Sequence, residues 1–294
     1  MKILEPSIEI IPQGEGMVGA LKHIEKVGRT CYKSEDKITD DSHIRFVDML
    51  INNQHYAMLE HATIYLTIPI EREDLIEIYR QNPYSRVVTP KNDQHAYITT
   101  NSRVITENEW QCDMNYMVPA PTKHAIRVTV KFSTQIAVSR ACNRHRVNSI
   151  AEESTRYCNY SKDKFNNEIS ISLPSWVNED NLKLCDGVYT HMSLCEDIST
   201  SNTKWWTALM YWWYANLACE YSYMNLIRLG WTSEQARTVL PLDTKTELVH
   251  TAYLDDWKHF MDLRYHGKTG KPHPDIYEIA EMLNKEFKQL KYVK

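Results

Sequence analysis

Residues 144–157 read RHRVNSIAEESTRY. The stretch holds Arg144, Arg146, Arg156, His145, Glu152 and Glu153, and no lysine. A solvated charged face usually mixes lysine with arginine, whereas arginine alone points to planar, bidentate recognition of an anion. Arg144, His145 and Arg146 are consecutive, so they cannot share one side of a helix. They spread around a turn and can touch different ligands. Ser154 and Arg156, two apart, can offer a hydroxyl and a guanidinium fork to one phosphate. Glu152 is an acceptor able to orient an arginine or a base N–H. A salt-bridge network at a subunit interface is the competing reading of the same charges.

Outward from this stretch, strands and helices alternate without a regular βαβ beat. Upstream, Val128, Val130 and Phe132 alternate with polar residues as in a half-buried strand. Ser133 or Thr134 then begins a helix through about Asn143. Nearer the start, residues 8–11 form a strand. Met17, Ala20, Leu21, Ile24 and Val27 follow a helical period, and Asp41 or Ser42 caps a second helix. Residues 62–68 (ATIYLTI) are a strand. Residues 71–126 are polar and broken by Pro83, Pro90, Pro119 and Pro121. They read as an irregular insertion with a helix near 74–80. Downstream, 159–202 is irregular and partly exposed, and one long helix runs from 203 to 229, stopped at Gly230. Thr232 and Gln235 form a capping box. Residues 246–253 are a strand and 254–263 a helix, and the last helix begins at Pro274. The fold class is α+β: a mixed, mainly antiparallel sheet with packed helices.

The 294 residues, 43% hydrophobic and 24% charged, suit a globular chain with a real core. We read 1–294 as a single catalytic domain with the insertion at 71–126. The balance of 34 basic and 38 acidic residues leaves −4, so no global field draws the protein to nucleic acid or to an acidic membrane. None of the seven cysteines (Cys31, Cys112, Cys142, Cys158, Cys185, Cys195, Cys219) forms a C-x-x-C pair, so no metal site is expected. Unpaired thiols and an N-terminus without a long apolar run suggest a cytoplasmic protein. The uncharged run 205–219 is about 15 residues, short of the roughly 20 that span a bilayer, and reads as a buried or oligomer-interface helix. Gly14, Gly16 and Gly19 match G-x-G-x-x-G, with Glu35 or Asp36 about 20 residues on. Pro12 and the weak strand pattern before that acid argue against a dinucleotide fold and for a flexible strand-to-helix connection.

Arg144-His145-Arg146, seven residues, then Ser154, followed by Arg156 and Tyr157, resembles the signature of flavin-dependent thymidylate synthases. His55-x4-Glu60-His61 is similar to that family's N-terminal H-x4-E-H element. Residues 236–241 (ARTVLP) resemble its A-R-x-V-L-P segment, and His259-Phe260 with Leu263-Arg264 its H-F-x-x-L-R segment. His273-Pro274 lies where members often carry a histidine before the last helix. The resemblance covers 1–70 and 127–290.

It implies conversion of 2′-deoxyuridine 5′-monophosphate (dUMP) to dTMP. Methylenetetrahydrofolate is the carbon donor, FAD the cofactor and NADPH the reductant. No enzyme cysteine attacks the pyrimidine, and no cysteine here follows a proline as in the unrelated classical synthases. By the same resemblance Arg264 faces the pyrimidine and favours its N3-ionised form. Arg237, Ser154, Thr155 and Arg156 hold the nucleotide, helped by Arg144 and Glu152. Arg144, His145, Arg146, Glu152, His259 and Glu60 lie on the flavin side. A homotetramer with shared sites is implied. The chain departs from the family at Ala57, Ala141, Ala151, Tyr253 and Asp255. These changes keep two alternatives open: a related flavin-dependent modification such as hydroxymethylation, and an inactive nucleotide-binding homologue.

Overall fold

Alternation along two long strands sets the main sheet. The computed structural model describes residues 1–177, 182 and 189–293. Strand β6 (Arg127–Gln135) pairs on one side with β2 (Ser7–Ile11) and on the other with β9 (Lys245–Tyr253); β9 in turn pairs with β7 (Ser149–Glu152). All three pairings are antiparallel. Even-numbered residues of β6, β9 and β7 share one face, because Val130 sits opposite His250 and His250 opposite Ile150. Val128, Phe132, Leu248 and Ala252 on that face pack with α5 (Ile136–Cys142), α9 (Leu254–Arg264) and α10 (Pro274–Gln289). The odd face meets α1 (Gly16–Thr30) through Ile11, Val27, Ala151 and Val249. The sheet is therefore covered on both sides, and neighbouring residues of one strand see different chemistry.

The glycine-rich turn between β2 and α1 is a packing device. A parallel βαβ unit is excluded, since β2 pairs only antiparallel with β6. A Cβ on Gly19 would lie 2.0 Å from the Gly14 carbonyl carbon and oxygen, so the turn rests directly on the helix. Gly16, at φ +63°, opens that helix. The flexible connection expected from the sequence is instead a close backbone contact.

Residues 71–126 are not irregular. They supply α3 (Glu73–Gln81), β4 (Arg86–Val88), β5 (His95–Asn101) and α4 (Ser102–Glu107). Strand β5 is the middle of an antiparallel sheet with β3 (Thr63–Pro69) and β4. Ile64, Leu66, Ile68, Ile76, Tyr79 and Ile98 form its core against α1 and α2 (Ser42–Asn52). A third, parallel pair joins β1 (Lys2–Leu4) to β8 (Ser170–Ser172).

Other boundaries shift for local reasons. β6 runs on to Gln135, pairing with Lys245, so the helix expected at 133 or 134 begins at Ile136. Within 159–202 the described residues include β8 and α6 (His191–Ser199), capped by Thr190. Positions 178–181 and 183–188 of that reading fall outside the described residues. The long helix is α7 (Ala208–Arg228), with Thr207 as its N-cap, so Trp205 and Trp206 precede it. It buries Met210, Trp213, Asn216 and Tyr223 and exposes Tyr211 and Tyr221. The capping box at Thr232 and Gln235, which opens α8 (Ser233–Ala236), and Pro274 in the first turn of α10 occur as expected. Among the described residues no helix is long and apolar enough to cross a membrane.

Candidate active site

The R-H-R turn joins α5 to β7 on the even face of the main sheet, beside the end of α9. Arg264, the last residue of α9, donates from Nε to His145 Nε2 at 3.1 Å and from Nη2 to the Ala141 carbonyl at 3.0 Å. A guanidinium only donates, so His145 Nε2 carries a lone pair and the ring is neutral. Burial, reinforced by Arg264 and His259, pushes His145 down to about 4. Phe260 lies 4.8 Å and His259 5.8 Å from the His145 ring, centroid to centroid. Residues 119 positions apart, from two different motifs, thus meet. Ala141 takes part through its main-chain oxygen.

Arg144 and Arg146 are exposed on this turn, and neither has an ion pair or side-chain hydrogen bond among the described residues. Glu152 ends β7 on the same face. Asn143 Nδ2 donates to its Oε2 at 2.9 Å and Thr246 Oγ1 to its Oε1 at 3.3 Å. The next residue, Glu153, turns away to accept from Tyr160 (3.1 Å) and Lys245 (3.1 Å). Lys33 and Lys245 also hold Glu247 there. Only the first of the two adjacent glutamates therefore belongs to the site.

Ser154, Thr155 and Arg156 form a second group. The Ser154 carbonyl accepts from the amides of Tyr157 and Cys158, making a tight turn, and no hydrogen bond engages its hydroxyl among the described residues. Arg237 Nη1 donates to Thr155 Oγ1 at 3.4 Å, and Arg156 pairs with Glu234 at 2.8 Å. Both arginines are exposed and available to an anion. A cleft of about 1060 Å³ opens alongside, lined by Tyr32, Arg45, Phe46, His55, Tyr157 and Lys164. No hydrogen bond or ion pair joins this group to Arg264 among the described residues.

Glu60 stands apart. Its carboxylate takes Arg103 at 2.6 Å, and its carbonyl accepts from Arg127. Arg103 belongs to the segment 71–126, so that segment reaches the H-x4-E-H element. It also explains Tyr253, whose single hydroxyl proton is shared between the carbonyls of Thr99 (2.8 Å) and Tyr84 (3.1 Å). Asp255 is an exposed acid in the first turn of α9, where the helix dipole favours negative charge.

Sequence reading missed Asn143, Thr246, His250 and Asn148. His250 Nε2 donates to Asn143 Oδ1 at 3.3 Å and Asn148 Nδ2 to His250 Nδ1 at 3.1 Å. The usable signal was alternation along β9, which puts His250 on the face of Glu152.

The donor set suits a flavin dinucleotide. Arg144 and Arg146, exposed and without an ion pair among the described residues, offer cations for a diphosphate beside the neutral imidazole of His145, whose ring Phe260 backs from within the core.

The model of the thymidylate synthase complementing protein family matches residues 114–291. Among solved structures, the chain is similar to a UMP/dUMP methylase, PolB from Streptomyces cacaoi, bound with 5-Br dUMP. Identity is 17%, coverage 99% of this chain and 93% of that one, and the TM-score 0.42. The same enzyme bound with 5-Br UMP gives 16%, 98%, 92% and 0.42. No curated protein matches the chain.

Proposed function

The chain belongs to the flavin-dependent thymidylate synthase family, and from that premise we propose that it methylates dUMP to dTMP. Methylenetetrahydrofolate is the carbon donor and NADPH the reductant. The observation that carries this reading is the docking of Arg264 on neutral His145 inside the R-H-R turn. Two of the five guanidinium donors are spent on holding the group in place, and the others remain for a ligand. A fixed cation beside the pyrimidine stabilises the N3-ionised ring and enriches electron density at C5. Ser154, Thr155, Arg156 and Arg237 hold the phosphate, with Arg144 and Glu152 nearer the base. His145, Arg146 and His259 line the flavin with Arg144 and Glu152. Glu60 takes part as a carboxylate already neutralised by Arg103. Reduced FAD, when bound, supplies the hydride that completes the methyl group.

We read residues 1–294 as one catalytic domain with 71–126 added to it. The working unit is a homotetramer with composite sites. Two observations support that: the Ser154–Arg156 group and Arg264 have no direct bond within one chain, and Trp205, Tyr211, Tyr221, Leu229 and Trp231 are exposed.

Arg156→Lys should raise the dissociation constant for dUMP about tenfold, because lysine cannot offer a bidentate fork. Flavin content should stay the same. Nucleotide titration of the flavin-loaded variant checks this, and an unchanged constant would remove Arg156 from the phosphate site.

The cysteines beside the site should be dispensable. Burial pushes the Cys142 and Cys158 thiols up to about 12, so neither supplies a thiolate. Cys142→Ser and Cys158→Ser should each lose less than about tenfold in kcat, whereas losing the nucleophile of a triad enzyme costs about 10⁶. A covalent pyrimidine adduct trapped on either thiol would contradict this.

A further inference from the structure

The hydrogen bonds around Glu152 have one permitted direction. A carboxylate only accepts, so Asn143 must turn its amide nitrogen to Glu152 Oε2 and its Oδ1 the other way. That oxygen faces His250 Nε2, which must carry the proton. His250 Nδ1 is then a lone pair and must accept from Asn148 Nδ2. Each member fixes the next, and the relay runs Asn148, His250, Asn143, Glu152. His250 is fully buried and Asn148 nearly so. The ring meets Phe132 edge-on at 6.0 Å and Trp257 at 6.4 Å. These apolar neighbours favour the neutral imidazole that the relay needs.

The placement of the two asparagines gives the relay a consequence for the site. Asn143 immediately precedes Arg144, and Asn148 lies two residues beyond Arg146. His250, on a strand at the centre of the sheet, therefore grips the R-H-R turn at both ends, and the far end of the relay orients a carboxylate. We propose that Asn143 and His250 are positioning residues, which aim Glu152 and pin the R-H-R turn for the reaction proposed above. The proposal rests on that reading for the role of Glu152, but the relay's polarity does not depend on it.

A double-mutant cycle and a spectrum test it. Asn143→Leu should lower kcat for dUMP methylation about tenfold, the weight of one hydrogen bond to a charged group. In a Glu152→Ala background the same change should cost clearly less, because the route through Glu152 is gone and only the hold on the turn remains. A merely structural role would give the same loss in both backgrounds, and that result, or no loss in either, would overturn the proposal. Asn148→Ala, which breaks the relay where it starts, should act in the same direction should Asn143→Leu not fold. Independently of turnover, nitrogen-15 spectra of the intact protein should show His250 with its proton on Nε2. They should also show that tautomer lost in Asn143→Leu. A proton on Nδ1 in the native protein would overturn the relay. Absence of dUMP turnover in the native protein, with the Nε2 tautomer observed, would overturn the proposed reaction and leave the relay's polarity established.

Discussion

Replacing Arg264 with alanine should lower kcat about 10²–10³-fold, or roughly 2.7–4 kcal/mol, the usual weight of one charge-stabilising donor. The fold should survive. Arg264 is half-buried at the end of α9, and the two groups it leaves, His145 Nε2 and the Ala141 carbonyl, can be reached by water. Arg264→Lys should fall in between, because it keeps the charge and loses the two-point hold that fixes it. Steady-state kinetics beside a thermal unfolding curve separates the effects. Near-normal kcat in the alanine variant would remove Arg264 from the reaction.

Acid should unfold the protein well above the carboxylate range. Besides His145 on the R-H-R turn, three histidines are buried neutral in the main sheet and its cover. On the odd face, His23 Nε2 of α1 bonds Thr129 Oγ1 at 2.9 Å, Thr129 bonds Thr251 at 2.7 Å, and His61 Nδ1, from the turn 56–61, bonds Thr251 at 2.8 Å. His250 lies on the other face. Burial, the leading cause in each, lowers His23 to about 4, His250 to about 3 and His61 well below its usual value. These folded values lie below the unfolded one, so on acidification the unfolded chain takes up these protons first. Stability is fully present above the ordinary histidine value and falls as pH drops from about 6.5 toward 4. With these four in play the slope approaches about 5 kcal/mol per pH unit, against a typical total of about 5–15. Glu247, held by Lys33 and Lys245 at about 2 despite burial, adds a loss at lower pH. Burial raises Glu153, Asp243, Asp256 and Glu278, and these oppose the trend as they take up protons in the folded state. The steepest loss therefore belongs to the histidine range. Urea unfolding midpoints from about pH 7 to about pH 5 measure it, and His23→Gln should flatten the slope by about a quarter. A flat profile across that range would contradict the buried neutral assignments.

Legibility followed locality. Strand β6 was readable because apolar Val128, Val130 and Phe132 on its even face alternate with polar Thr129, Lys131 and Ser133 on the other. Pro274 and the pair Thr232 and Gln235 mark helix starts through bonds made within one turn. Strand β5 was not readable: HAYITTN is covered on both faces, and its buried threonines are satisfied by distant groups, as when Thr99 Oγ1 donates to the Ala125 carbonyl. In the site, Arg144, His145, Arg146 and Arg264 were legible as motif residues. The capture of Glu60 by Arg103 was not, since nothing near either residue encodes a partner 43 positions away. The same holds for His250, whose two asparagines lie 107 and 102 positions upstream. The reading of 71–126 as irregular failed because prolines at its turns hid the strands between them.

The central claim is that this chain adds a methyl group to a pyrimidine nucleotide with the help of a flavin. The most direct measurement is an anaerobic incubation of the FAD-loaded protein with dUMP, methylenetetrahydrofolate and NADPH, followed by mass analysis of the nucleotide. The account predicts a product heavier than dUMP by one methylene unit and formed only when all three small molecules and the flavin are present. A hydroxymethylated product, or unchanged dUMP from protein shown to hold both flavin and nucleotide, would contradict it.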